Sequence, residues 1–172
     1  IRDSFNADAL PPIEKAEIHL IGSSDLISKS VELQGFHLRL PGLDLKGKGH
    51  ITDVLSGQWK AIRNLKITGR INPDVLSQLI PSKQAILPEN TKIVGDINIE
   101  RLHLQGNNRR MLFDVLLDAS KATLEINNHI CKPAGRELLV SFIGTLENKT
   151  WQLTANQICL QIGKNRFSAS GS

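Results

Sequence analysis

The stretch "ISKSVELQGFHLRLPGLDLKGKGHI", Ile27 to Ile51, decides the fold. Its first half sets Ile27, Val31 and Leu33 on one face of an alternating run. After Gly35 the apolar parity switches to Phe36, Leu38 and Leu40, with His37 and Arg39 opposite. Alternation of period two marks a β-strand with one buried face. A one-residue slip of phase at a glycine is what a β-bulge or a strand corner produces. A Pro41-Gly42 bend follows, and alternation resumes with Leu43, Leu45 and Ile51 against Asp44, Lys46, Lys48 and His50.

The same rhythm extends in both directions. Upstream, "AEIHLI" sets Ile18 and Leu20 against Glu17 and His19. Downstream come Leu65, Ile67 and Ile71, then Ile93, Ile97 and Ile99 with a slip to Leu102 and Leu104. Phe113, Val115 and Leu117 follow, then Ala122, Leu124 and Ile126, then Leu138, Val140 and Phe142. Trp151, Leu153 and Ala155 slip into Ile158, Leu160 and Ile162, and Phe167 and Ala169 close the chain. Polar or glycine-containing bends at Gln105, Ile126, Glu147 and Gly163 separate these runs. Short strands at regular spacing with polar turns predict a mainly β fold, an antiparallel meander of about ten strands.

One segment breaks the pattern. "NPDVLSQLIP" offers Asn72 as N-cap, Pro73 at the first helical position, Asp74 in the first turn and Pro81 beyond the end. Val75, Leu76, Leu79 and Ile80 form a helical stripe, so one short α-helix is predicted over residues 73–80.

Composition narrows the functions. Hydrophobic residues make up 40% and charged residues 22%, as in an ordinary globular domain. Aromatics are only 4% and Tyr is absent, which argues against a sugar-binding or base-stacking surface. The net charge is +4, but the 21 Lys and Arg are scattered singly apart from "NNRR" at Asn107 to Arg110, so no nucleic-acid partner is expected. Cys131 and Cys159 form neither a disulfide framework nor a metal set, and spacing leaves their pairing open. The chain begins at Ile1 and ends in "SASGS" directly after an alternating run, so residues 1–172 are read as one fragment of a larger protein.

No catalytic constellation stands out, and neither an enzyme nor a cofactor is expected. His19, His37, His50 and His103 fall on the polar faces of predicted strands, and His129 and Cys131 form an H-x-C pair without further partners; no metal is implied. "GSSD" at Gly22 lacks the strand-elbow-helix context of a hydrolase serine. Asp114 and Asp118 share a strand face but lack the aromatic platforms of a sugar site. "GKGH" at Gly47 lies inside a strand and opens no helix, so it is no phosphate loop. "NKT" at Asn148 fits a glycosylation acceptor, a frequent chance match. What remains is a surface problem. About ten strands with one apolar face need cover from a second sheet, a helix layer or a ligand. One short helix cannot supply it.

"LLDASKATLEINNHICKPAGRELLVSFIGTL", Leu116 to Leu146, sharpens the choice. Leu117, Asp118, Ser120 and Ala122 read "LDxSxA", and Lys132, Pro133, Ala134 and Gly135 follow a short bend before the strands resume. With the upstream "ITGRINPDVLSQLIP" and "TKIVGDINIERLHL", this pattern resembles the AsmA-like family of bacterial envelope proteins, in particular its large YhdP-type members. The likeness covers about residues 60–172.

The resemblance implies a curved, groove-like sheet within a long periplasmic body, with the parent protein anchored in the inner membrane. It implies transport of phospholipid between inner and outer membrane as a part of outer-membrane biogenesis, with acyl chains as the partner. The expected groove lining is Leu102, Leu104, Phe113, Val115, Leu117, Leu124, Ile126, Leu138, Val140, Phe142, Leu153, Leu160 and Ile162. Pro133 and Gly135 are expected to turn the chain where pairing stops. The alternative is a structural or assembly module of the envelope, with its sheet closed into a β-sandwich and a protein partner.

Overall fold

The computed structural model describes residues 16–52, 61–79, 91–126, 130–147, 150 and 152–171. These form twelve strands and one helix. Nine strands make one antiparallel sheet in the order β1 (Glu17–Asp25), β2 (Ser30–Leu40), β3 (Leu43–Thr52), β4 (Ala61–Ile71), β6 (Ile97–Asn107), β7 (Arg110–Asp118), β10 (Leu138–Glu147), β11 (Gln152–Ile162) and β12 (Asn165–Ser170). The rest form a three-stranded sheet in the order β5 (Thr91–Val94), β8 (Thr123–Ile126) and β9 (Ile130–Lys132). The meander expected from the alternation is present, and the large sheet is not closed: β1 and β12 are its unpaired edges. In an antiparallel meander of nine strands both edges run the same way, so a seam between them would be a parallel pair.

The phase slips are bulges. The β2–β3 register jumps between Leu33 and Phe36, where Gly35 stands. Slips also occur at Ile99/Arg101 in the β6–β7 pair and at Ile143/Gly144 in the β10–β11 pair, where Asn156 is the extra residue. Each restores the apolar side chains to the face they occupied before the slip. Ile27 departs from expectation: it lies in the turn between β1 and β2, 96% exposed, and not on the strand face with Val31 and Leu33. Asp25 makes that turn, accepting the Ile27 amide at 2.9 Å and the Ser28 hydroxyl at 2.7 Å.

The helix α1 runs Pro73–Leu79. Asn72 caps it through its side-chain oxygen, which accepts the Val75 amide at 3.2 Å, while its carbonyl takes the Leu76 amide at 3.0 Å. Ile80 and Pro81, the bend containing His129, Asn148 and Trp151 lie outside the described residues.

The small sheet extends three strands of the large one past a break. β5 leads into β6, β7 into β8 and β9 into β10, and the order β5-β8-β9 repeats β6-β7-β10. The run from Ile93 to Ile99, read in sequence as one strand, is therefore two, parted at Gly95, whose φ of 104° suits glycine. Residues 119–122 and 133–137 form the matching breaks.

Candidate functional site: an open apolar wall

Residues directly opposed in an antiparallel pair point to the same face, so the registers define rows across the sheet. One row runs Ile18, Leu38, Leu45, Gly69, Ile99, Leu117, Val140, Leu160 and Phe167 from edge to edge. The next runs Leu20, Phe36, Gly47, Ile67, Leu102, Val115, Phe142, Ile158 and Ala169. Beyond it, Leu65, Leu104, Phe113 and Gly144 stand in register, and then Val31, Ile51, Ile62, Gly106, Met111, Leu146 and Leu153. No charged side chain interrupts these rows. At about 4.8 Å per strand, the wall is about 38 Å long.

The reverse face is charged from β1 to β7 and mixed beyond, where Leu139, Ser141, Ile143, Gln157 and Cys159 lie on it. One of its rows reads Glu17, Arg39, Asp44, Arg70, Asn98 and Asp118. Ion pairs lace it, with Arg101 to Asp114 at 3.0 Å and Arg39 to Glu17 and to Asp44 at 3.4 Å. His19, His37, His50 and His103 all lie on this face, as their parity implied. Cys131 and Cys159 are free thiols, the first exposed on β9 and the second buried on β11. Arg166 donates Nε–H to the Cys159 sulfur at 3.0 Å. Among the described residues no group of three or more His, Cys, Asp or Glu is placed to hold a metal.

Apart from Ile99 and Leu138, the large aliphatic and aromatic side chains on the wall are half-buried or exposed, and no large side chain in the described chain is fully buried. Exposure is greatest at the edges, with Ile18 at 65%, Leu20 at 67% and Phe167 at 60%. Glycines on the wall make room for large neighbours. The Phe36 ring lies over Gly47 on β3, and the Phe142 ring lies over Gly144 two residues along its own strand. A Cβ at either glycine would collide with that ring and with a backbone carbonyl of the adjoining strand.

Of the expected lining residues, Leu102, Leu104, Phe113, Val115, Leu117, Leu138, Val140, Phe142, Leu153, Leu160 and Ile162 fall on this wall. Leu124 and Ile126 belong instead to β8 of the small sheet. Phe36, Leu38, Leu45 and Ile67 share the wall but were not in the expected lining, which drew only on the second half of the chain. Their parity, corrected for the slip at Gly35, carried the signal.

The step over residues 132–135, where Pro133 and Gly135 are expected to turn the chain, also contains a buried cation. Lys132 is 6% exposed, and its Nζ donates to the carbonyl oxygens of Ala119, Ser120 and Ala122 at 2.6, 3.0 and 2.6 Å. Burial pushes its pKa down, and the negative charge of Asp118 opposes that shift. Asp118 accepts the Ser120 amide at 2.8 Å, and the Ser120 hydroxyl oxygen accepts the Leu138 amide at 3.1 Å. The Ser120 hydrogen bonds hold the Asp118 carboxyl below the ordinary aspartate value. Gly135, at φ 85°, donates its amide to Ser120 at 2.8 Å. The "LDxSxA" and Lys-Pro-Ala-Gly elements thus meet as one joint between the two sheets. Sequence reasoning gave Lys132 no such role, because its three partners are backbone oxygens.

A shallow cleft of about 300 Å³ opens where α1 meets the β2–β3 turn, lined by Arg39, Asp44, Arg70, Asn72 and Asp96 among others. Arg70 pairs with Asp96 at 3.4 Å and Arg39 with Asp44, so the cleft offers no unbalanced charge.

Fold and wall together define a class: an open antiparallel sheet with one face apolar from edge to edge and the other largely polar, charged over β1 to β7. No family model, curated protein or solved structure matches this chain. Among the described residues no helix is long and apolar enough to cross a membrane.

Proposed function

We propose that the wall carries hydrocarbon, as a groove segment that moves phospholipid through the bacterial envelope in the manner of the AsmA-like proteins the sequence resembles. The observation behind this reading is the continuity of two apolar rows across all nine strands without a covering layer among the described residues. Each methylene of an acyl chain kept in water costs about 0.8 kcal/mol, and a wall of Leu, Ile, Val and Phe removes most of that cost. Sliding needs no strong polar contact on the wall, since hydrogen bonds there would arrest the cargo. The periplasm is the compartment this work requires, and a parent protein anchored in the inner membrane would give the groove its starting point.

Native mass spectrometry of the purified chain tests the reading. Co-purified phospholipid is expected, and its absence after expression in a Gram-negative host would overturn the proposal. Photocrosslinking from Val115 and Val140 localises the contact: both positions are expected to label lipid, whereas Asp114 on the reverse face is not. A stoichiometric protein in place of lipid would favour the assembly-module alternative.

A further inference from the structure

The outer face of the β1–β2–β3 corner holds side chains that the groove reading leaves unused. His19 on β1 and His37 on β2 are directly opposed in the register, with ring centroids 6.4 Å apart. The His37 Nε2 lies 2.8 Å from Asp44 Oδ1, across the next strand pair. An ionised carboxylate only accepts, so Nε2–H donates to Asp44 and the Nδ1 lone pair of His37 remains available. That is the arrangement by which a carboxylate orients a metal-binding imidazole.

We propose that His19 and His37 form a binding site for a divalent cation of the Zn²⁺ or Cu²⁺ class, with Asp44 as the positioning residue. Imidazole suits these metals, and bonds of about 2.0–2.1 Å to nitrogen need the two rings to close on a shared ion. His19 sits exposed on the edge strand β1. Water would fill the remaining coordination positions, since the two imidazoles are the donor set among the described residues. The surrounding charges balance: Glu17 and Asp44 face the site from β1 and β3, Arg39 from β2, and Lys46 from β3 directly opposite His37. Arg39 is engaged by Glu17 and Asp44, which leaves Lys46 as the nearby cation that limits affinity. A bound ion would tie the exposed edge strand β1 to β2. The proposal is independent of the lipid reading.

Titration calorimetry of the untagged chain with Zn²⁺ alone tests it. One equivalent is expected to bind. His19→Ala and His37→Ala are each expected to abolish binding, and Asp44→Asn to weaken it about tenfold. His103→Ala should bind as the parent does, because His103 stands apart on β6 and meets the Asn64 side chain at 3.0 Å. With Cu²⁺, electron paramagnetic resonance should show two nitrogen donors. Circular dichroism checks the fold of each variant, and His19→Gln and His37→Gln replace any alanine variant that fails to fold. No saturable binding, or binding that survives loss of His37, would overturn the proposal.

Discussion

The joint and the wall use similar aliphatic residues to opposite ends. At the joint, Ala119, Ala122, Lys132 and Leu138 are all buried, and side chains bond to backbone at short distances. On the wall, Leu117, Val140 and Leu160 stand in perfect register with apolar partners, yet none is buried. Strand pairing alone therefore does not make a core. Burial needs a second layer or a tight turn, and among the described residues the joint supplies one. Among the described residues the fold is held by its backbone ladders and by this small packed seam, and nothing covers the wall.

If the joint is the packed element, removing its cation should have the largest effect. Lys132→Met keeps the aliphatic stem and withdraws three hydrogen bonds from buried carbonyls. A loss of about 3 kcal/mol is expected in urea unfolding, because orphaned buried acceptors carry most of their desolvation penalty. A loss under about 1 kcal/mol would mean that the two sheets do not depend on this clamp.

The wall's own sensitivity should be steric. Gly47→Val sets a branched side chain against the Phe36 ring and the Lys66 carbonyl. Overpacking here is expected to cost about 2 kcal/mol, measured by the same denaturant series. Combining it with Phe36→Ala should recover part of the loss, because the ring is one of the two obstacles.

Charge on the wall should separate stability from cargo. Val140→Asp is expected to cost about 1 kcal/mol, since a half-exposed strand position loses β-propensity and some packing. Phospholipid labelling from the neighbouring Val115 should be lost in the same variant. Retained labelling with unchanged stability would place the hydrocarbon elsewhere.

How much of this was legible follows from where each interaction lives. Strand alternation, the bulge at Gly35 and the cap at Asn72 are written in side-chain identity at fixed spacing, and all three could be read. The wall followed from the same parity once each slip was corrected. The break at Gly95 was missed because an alternating run continues unchanged across it. Leu124 and Ile126 were placed with the lining because their parity matched, and parity carries no information about which sheet a strand joins. Lys132 reads as one more surface lysine until the fold brings three carbonyls to it.

Asp118 and Asp114 give the finest test, since both lie on β7, on one face and four residues apart. Asp114 meets Arg101 at 3.0 Å, with side chains 34% and 52% exposed. Solvent screens such a pair, so Asp114→Asn should change unfolding free energy by less than about 0.5 kcal/mol. Asp118 instead anchors the Ser120 turn beside the Lys132 ammonium, and Asp118→Asn should cost about 1 kcal/mol at neutral pH. The sign of its pH dependence follows from a carboxyl held below its ordinary value in the fold. Its contribution is full above the unfolded aspartate pKa of 3.8 and is lost as pH falls through the lower folded value. The Asp118→Asn variant should therefore show a shallower loss of stability between pH 4 and pH 2 than the parent chain. If Asp118→Asn loses stability between pH 4 and pH 2 as steeply as the parent chain, the joint is no more ordered than the solvated face beside it, and the contrast between the two regions fails.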